Sequence, residues 1–280
     1  MEEVSRPYGR QTGRVLTMLI ACALLASAVS VAAAGAAEAT PVAGASPVAG
    51  PDCVAIESAM VAGLREGDAC VVFVTGSPDA PPLDVYVDGA KVVASQPLRT
   101  SVAYQWNDIK SVAAGKRRMQ VVETGKDPSA ALIDKSLTFK PGGAYEVVLY
   151  DKPTKIRVTS YAVDLAPLPA KAARVRVINA GRDLGPVDSY AVAPGQPMDS
   201  AKRIAHNLKF GKAAKYVALT SDNNLSATNL YTVPTGTGLD SAVGTQLPAF
   251  TGEAWSYIAL GANGGIVNYA YVGWHTQTTS

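Results

Sequence analysis

The sequence has little of the chemistry that most enzymes use. Its 280 residues include two histidines, His206 and His275, and three cysteines. No His-x-x-His, His-Glu-x-x-His or Gly-x-Ser-x-Gly arrangement occurs, and no glycine-rich phosphate loop precedes a helix. Both histidines are predicted to be solvated surface residues. We therefore expect no catalytic residue, no metal and no cofactor, with a secreted hydrolase built from distant carboxylates as an alternative.

Charged residues are also scarce, at 17% of the chain, and the net charge is +2. There is no basic run and no interleaving of basic with aromatic residues, so no nucleic-acid partner is indicated. Hydrophobic residues make up 48%, which excludes a wholly disordered chain and supplies real cores. A surface built on Ser, Thr, Asn and Gly suits an exported β protein better than a cytosolic enzyme.

Long apolar runs are absent except near the N-terminus. There, Arg10 and Arg14 precede an apolar stretch that reaches about Ala34 and is followed by small residues. This order predicts a secretory signal peptide over residues 1–39, and hence an exported protein that is secreted or held in the cell envelope. Cys22 lies in a sequence that resembles a lipobox, so lipidation of Cys22 and an uncleaved anchor are the alternatives that would join the protein to a membrane.

Two cysteines remain once the signal peptide is removed, Cys53 and Cys70. An even number of cysteines in an exported chain predicts one disulfide, with unpaired thiols or a metal site as alternatives. Between them Ile56, Met60 and Leu64 recur every four residues, which predicts a short amphipathic helix.

Two stretches rich in proline and alanine divide the chain. Residues 40–52 predict a tether and residues 165–173 predict a linker. They bound two regions, 53–164 and 174–280, each of the usual size for a β-sandwich domain.

Both regions have the sequence pattern of strands. Short runs rich in β-branched and aromatic residues alternate with turn residues, and no helix-length pattern is present to cover a parallel sheet. Asp88-Gly89 lies between two apolar runs, which predicts a type I′ hairpin turn. The predicted fold class is all-β, with two tandem antiparallel, Ig-like β-sandwich domains after a signal peptide and a short N-terminal helix.

The second region repeats the first. The strand Val71–Val74 corresponds to Val175–Ile178, 104 positions later, and Tyr104 matches Tyr216 after an insertion. Two copies are too few for a solenoid, so the repeat predicts tandem domains. At the offset of 104, four motif residues coincide: Asp79 with Asp183, Pro82 with Pro186, Asp84 with Asp188, and Tyr86 with Tyr190.

The clearer copy of the motif reads Ser-Pro-Asp-Ala-Pro-Pro-Leu-Asp-Val-Tyr-Val-Asp-Gly over residues 77–89. It resembles the signature of the DUF4397 domain, a bacterial envelope and secreted β-sandwich module of unassigned function. The second copy adds the strand Arg174–Val177 and a closing strand at Trp255–Gly261, so the resemblance covers roughly residues 68–274. It implies a fold and no activity.

A fainter likeness is to the periplasmic accessory protein of alginate O-acetylation. That protein has a signal peptide and two small tandem β-domains, with a charged strand like Ala173–Asn179 near the start of the second. The likeness motivates an alternative function, that of a non-catalytic accessory factor in exopolysaccharide modification.

The motif residues are interpreted as a structural corner. Asp79 is expected to satisfy a turn through a side-chain hydrogen bond, and Asp84 to close the loop on backbone N–H groups. Calcium is the alternative, which the small number of carboxylates disfavours. The predicted structural loop residues are Ser77, Pro78, Asp79, Pro82, Asp84, Tyr86, Asp88, Gly89, Asp183, Pro186, Asp188 and Tyr190.

Aromatic residues are the remaining candidates for binding. Tyr269 and Tyr271 share one face of a predicted strand, and if exposed they could stack on sugar rings; packing in a core is the alternative. Trp106 and Trp255 are predicted to be buried. The sequence thus predicts a non-catalytic exported module for adhesion, scaffolding or ligand binding, whose partner is an envelope protein or polysaccharide.

Overall fold

The computed structural model describes residues 52–57, 63–97, 103–104, 108–220, 225–239, 242, 244–247, 249–263, 266–276 and 278–279. The predicted signal peptide, Cys22, nearly all of the tether, Met60 and Trp106 lie outside the described residues. Ser46–Ser280 form one compact unit. The two predicted domains and their boundaries stay a prediction.

A short helix precedes the strands, as predicted, and five one-turn 3-10 helices lie in the described loops. The helix is α1 (Cys53–Glu57), and the 3-10 helices are Pro128–Ala130, Pro153–Lys155, Arg182–Leu184, Met198–Ser200 and Leu225–Ala227. The strands of the first half are β1 (Ala69–Thr75), β2 (Leu83–Val87), β3 (Ala90–Gln96), β4 (Ala103–Tyr104), β5 (Ile109–Val112), β6 (Gly115–Glu123), β7 (Ile133–Phe139), β8 (Ala144–Tyr150) and β9 (Arg157–Ala162). Those that follow are β10 (Leu168–Pro169), β11 (Ala172–Asn179), β12 (Val187–Val192), β13 (Lys202–Leu208), β14 (Lys212–Ala213), β15 (Val217–Thr220), β16 (Asn229–Pro234), β17 (Thr245–Gln246), β18 (Glu253–Asn263), β19 (Ile266–His275) and β20 (Thr278–Thr279).

The strands form two pairs of sheets and confirm the all-β prediction. The first half contributes sheet I, in the order β3-β2-β6-β7, and sheet II, in the order β5-β1-β8-β9. The second half contributes sheet III, β14-β11-β18-β19-β4 with β15 also paired to β11, and sheet IV, β13-β12-β16-β17. Strands β10 and β20 form a separate pair. Since β4 belongs to the first half, sheet III contains strands from both halves.

The predicted repeat appears as a repeat of strand register. In sheet II, β1 pairs with β8 in parallel and Val71 lies opposite Tyr145. In sheet III, β11 pairs with β18 in parallel and Val175 lies opposite Trp255, the residues that the sequence offset aligns. The match of Tyr104 with Tyr216 is different, because Tyr104 lies in β4 beside β19, whereas Tyr216 precedes β15 beside β11.

These parallel pairs were absent from the predicted antiparallel sandwiches. All residues of β1, β8 and β11 are buried, as is typical of parallel strands, which are covered on both faces. The cover here is another sheet instead of a helix, so the lack of helix-length patterns did not exclude parallel pairing.

Three apolar cores lie between four sheets. Alternate residues of each central strand face opposite cores, as strand geometry requires. Val71 and Phe73 face sheet I, whereas Val72 and Val74 face a core shared with sheet III. Val177 faces sheet IV and Ile178 faces the shared core. The order of layers is therefore I, II, III, IV, with the shared core joining the two halves.

Residues 165–173, which the sequence predicts to be a linker, are packed into the folded structure. Leu165 and Leu168 are buried, and Ala172–Ala173 begin β11. Leu165 belongs to the shared core, because the two sheets that it connects pack directly on each other.

Two local predictions are confirmed. Asp88 and Gly89 have φ angles of 48° and 82°, and positive φ at both positions is what a type I′ turn requires. Cys53 and Cys70 form a disulfide that joins α1 to β1. Ile56 and Leu64, the described residues of the predicted apolar stripe, pack against the shared core, but Leu64 is not helical and lies beyond α1.

Candidate functional site

The motif aspartate of the first copy is enclosed by hydrogen bonds. Asp84 lies at a β-bulge between β2 and β3, and its side chain is 1% exposed. Its Oδ1 accepts the backbone N–H of Ser95 at 2.8 Å and the hydroxyl of Thr124 at 3.1 Å. The ammonium of Lys91 donates to Oδ2 at 2.5 Å. This last bond, more than any other contact, lowers the pKa of Asp84 to about 2.

The second copy repeats this arrangement. Oδ1 of Asp188 accepts the backbone N–H of Asn207 at 2.7 Å and the hydroxyl of Thr235 at 3.1 Å. Nδ1 of His206 lies 3.1 Å from the same oxygen. Burial favours protonation of Asp188, but the Asn207 bond and the other contacts hold its pKa below its usual value. Ser95 and Asn207 both have positive φ, 51° and 47°, so each aspartate caps the strained residue of a bulge.

The other motif residues lie in the loops and strand around each aspartate. Arg182 lies between the two copies, since its guanidinium is 3.5 Å from Asp79 and 3.2 Å from Asp183. Tyr86 and Tyr190 lie beneath the cationic ends of Lys91 and Arg203. Ser77, Pro78, Pro82 and Pro186 lie in the two connecting loops, and Ser77 is buried. The structural role assigned to the whole set stays a prediction.

A buried ion pair joins the two halves, and sequence reasoning missed it. The Arg176 guanidinium, 6% exposed, donates to Glu146, which is fully buried, at 2.9 Å. Arg176 also donates to Ser256 Oγ and to the Ala162 carbonyl, both at 2.8 Å. Nε1 of Trp274 donates to the other Glu146 oxygen at 3.1 Å. Burial works against the charge on Arg176, but Glu146 holds its pKa above the usual value.

A second cluster of polar side chains lies where α1 meets the start of β18 and the end of β19, and part of this cluster is exposed to solvent. Glu57, fully buried, accepts the backbone N–H of His275 at 2.9 Å, and its second oxygen lies 3.0 Å from Nδ1 of the ring. On the other side of the ring, Nε2 lies 3.6 Å from Glu253. Glu253 also accepts from Nε1 of Trp255 at 2.6 Å. We call Glu57, Phe250, Glu253, Trp255 and His275 the end cluster.

The end cluster differs from the other polar groups because one of its aromatic residues is exposed and because the pKa values of two of its members are raised. Its Phe250 ring is 54% exposed and lies 6.2 Å from the Trp255 ring, centroid to centroid. Burial raises the pKa of Glu253, and the bond to Glu57 raises the pKa of His275. His275 is therefore not the solvated surface residue that was predicted, because a buried carboxylate binds it. Trp255 is buried, as predicted.

The two tyrosines proposed for sugar stacking lie inside the second half. Tyr269 and Tyr271 are 2% and 8% exposed and pack with Tyr257 in the core between sheets III and IV. The alternation of β19 turned that face inward, so neither ring offers the exposed face that stacking on a sugar requires.

In the part of the chain that the structure describes, no group of three or more His, Cys, Asp or Glu side chains is placed to hold an ion. A groove of about 490 Å³ lies along the open side of the first half between β7 and β9. Lys135 crosses it to the Val158 carbonyl at 3.4 Å.

The bond between Glu57 and His275 predicts a pH-dependent contribution to stability. Because the pKa of His275 is raised on folding, this contribution is complete below the unfolded value of about 6.5 and is lost as pH rises through the folded value. We expect His275→Asn to lower the free energy of unfolding by about 1 kcal/mol near pH 6 and by less above pH 8. Guanidinium unfolding of the full chain across this range measures the difference.

His206→Asn is the matched control, since the His206 side chain is 61% exposed. Its cost is expected to vary less with pH than that of His275→Asn. Equal pH profiles for the two variants would contradict the assignment of the effect to the buried Glu57.

The fold and these sites define the class of protein, an all-β module of two repeated sandwich halves with a shared core. The family model of DUF4397, described as a domain of unknown function, matches residues 69–190. This span runs from β1 into β12 and so includes all strands of the first half. The chain therefore contains a DUF4397 domain.

Solved structures resemble the chain at low similarity. A putative cell adhesion protein from Bacteroides uniformis is 11% identical over 75% of this chain and 98% of its own, with a TM-score of 0.27. A structure of alpha-glucan binding by a streptococcal virulence factor is 11% identical over 69% of this chain and 92% of its own, with a TM-score of 0.23. At such low TM-scores, these similarities support no conclusion about the fold or function of this protein.

No curated protein matches the sequence. The likeness to the alginate O-acetylation accessory protein is not shown and stays a prediction. Within the described ranges, no helix combines the length and the apolar character needed to cross a membrane.

Proposed function

We propose that the protein is an exported, non-catalytic binding or adhesion module, whose two sandwich halves act as one rigid body that holds a contact surface. One observation carries the proposal. In both copies the motif aspartate is bonded internally to a bulge N–H and to a threonine hydroxyl, at Asp84 and at Asp188. Carboxylates used in this way hold the backbone in place instead of meeting a substrate.

The other buried charges support the same reading. Glu146 is bonded to Arg176 and Trp274, so its oxygens fasten sheet II to sheet III. A body fixed by internal polar bonds and a disulfide suits the presentation of a surface, because little ordering entropy is then lost on binding. The contact surface that we favour is the end cluster, where an aromatic ring and polar groups reach solvent together.

The test is a binding screen with the purified full chain. It is applied to a glycan array and, in parallel, to purified envelope proteins, and reducing ends released from each glycan are measured. Saturable binding without release of reducing ends supports the proposal. Release of reducing ends would establish the hydrolase alternative, and stable binding of an acetyltransferase would favour the accessory-factor alternative.

Export is tested separately. N-terminal sequencing of the protein from its native host is expected to begin close to residue 40, after the predicted cleavage site. A mature chain that begins with a lipidated Cys22 would replace free export with attachment to a membrane.

A further inference from the structure

Phe250 is an exposed aromatic residue that lies beside a buried one. Its ring is 54% exposed, although phenylalanine is usually buried. One side of the ring is supported by Trp255, at 6.2 Å between centroids and 52° between planes. An exposed ring that already contacts a buried side chain loses less side-chain entropy when a ligand covers its free surface.

Trp255 is itself positioned by two neighbours. Its Nε1 donates to Glu253 at 2.6 Å. Its ring lies over Gly273, which is opposite it in the β18–β19 register, and a Cβ at position 273 would approach the indole to 2.7 Å. Because residue 273 is a glycine, the indole of Trp255 has room to lie beside the Phe250 ring.

Polar atoms border the same surface. One oxygen of Glu253 accepts from Trp255, and the other lies 3.6 Å from Nε2 of His275, within ion-pair distance. The Glu253 and His275 side chains are 16% and 28% exposed. The indole of Trp255 thus contacts both the Phe250 ring and the Glu253 carboxylate, so a ligand on that ring would have a carboxylate acceptor near it.

We propose that the end cluster is a binding site for an uncharged carbohydrate, an inference that rests on the proposed binding function. A pyranose ring has an apolar C–H face that stacks on an aromatic ring and hydroxyl groups that donate to a carboxylate. An anionic glycan would meet the carboxylate of Glu253, while the His275 imidazole is already paired with the buried carboxylate of Glu57. The chemistry of the surface thus selects a neutral sugar over an acidic one.

The experiment compares the wild-type full chain with Phe250→Ala on an array of neutral, acidic and amino glycans, followed by calorimetric titration with the best neutral oligosaccharide. We expect Phe250→Ala to weaken binding about tenfold, the loss of one stacking ring. Leu132→Ala is the matched control, since Leu132 is also an exposed apolar residue, at 40%, but lies on the first half. It is expected to bind as the wild type does.

Near-UV circular dichroism establishes that both variants are folded, which is expected because both side chains are exposed. Neutral glycans that bind Phe250→Ala as tightly as the wild type would overturn the site and leave the proposed function standing. Preference for acidic or amino glycans, or a protein partner with no glycan bound, would overturn the sugar class and again leave the binding function standing. Failure to bind any glycan or protein would overturn both.

Discussion

Arg176→Met is expected to lower the free energy of unfolding of the full chain by about 3–5 kcal/mol. Glu146 is fully buried, and its charge is compensated by the Arg176 guanidinium at 2.9 Å. Removing the cation leaves that carboxylate between sheets II and III with the Trp274 N–H as its remaining described partner. Guanidinium unfolding followed by tryptophan fluorescence measures the loss.

Arg174→Met is the matched control. Arg174 lies two residues away on the same face of β11, but it pairs with Asp164, whose side chain is 52% exposed. The Arg174 side chain is 10% exposed and also donates to the carbonyls of Asp164 and Pro167. Its loss is expected to cost about 1–2 kcal/mol, less than that of Arg176, because the Asp164 carboxylate that it leaves behind stays in water. Similar costs for Arg176→Met and Arg174→Met would contradict the isolation of Glu146 from water.

A double variant identifies the cause. In Glu146→Gln with Arg176→Met the buried charge is absent, and the amide oxygen still accepts from Trp274. We expect the double variant to be more stable than Arg176→Met alone, since breaking a buried pair costs more than replacing both partners. A double variant less stable than the single one would show that shape, not charge, determines the loss.

Removal of the disulfide, by Cys53→Ala with Cys70→Ala, is expected to cost about 3 kcal/mol in the chain-entropy model. The bond closes a loop over a sequence separation of 17 and fixes α1 against β1. The backbone N–H of Cys53 also donates to Gly142 at 2.8 Å, so α1 is held to the turn before β8 as well. Unfolding of the variant and of the wild type is compared with and without reductant.

Reduction of the wild type, equilibrated in denaturant so that the buried sulfurs are reached, is expected to reproduce most of this loss. The variant has no bond to reduce among its described residues, and its stability is expected not to change with reductant. A wild type that is equally stable when reduced would contradict a role for the bond in stability.

The shared core explains why such changes should act on the whole chain. Sheets II and III are packed face to face, and Val72 of one and Ile258 of the other belong to the same cluster. Glu146 and Arg176 lie within this contact, as do the hydrogen bonds that Trp274 donates to Glu146 and that Arg176 donates to Ser256. A polar network in an apolar contact fixes one relative arrangement of the two sheets, because any shift leaves a buried charge unpaired.

The motif aspartates illustrate what local sequence can predict. Asp84 was expected to close its loop on backbone N–H groups, and it accepts from the N–H of Ser95 in β3. Its bond from the hydroxyl of Thr124, just after β6, spans 40 positions and was not predicted. The Asp88-Gly89 turn follows from its need for positive φ. This turn depends on a few neighbouring residues, so the local sequence contains the information that it requires.

The end cluster could not be predicted in this way. Glu57 and His275 are 218 residues apart, and the sequence shows no pattern that links them. Tyr269 and Tyr271 were correctly assigned to one strand face, but whether that face was exposed depended on sheet IV lying over it. The exposed ring turned out to belong to Phe250, which follows no strand alternation because it lies in a loop.

The sequence by itself determined the all-β class, the repeat, the Asp-Gly turn and the disulfide, since each depends on residue type, periodicity or parity. Tertiary structure alone decided that β1 pairs in parallel with β8, that sheets II and III share a core, and that Arg176 meets Glu146. The physical reason is that alternation along a strand shows which residues share a face. It does not show what will cover that face, and the cover decides which charges are buried together and which groups meet solvent.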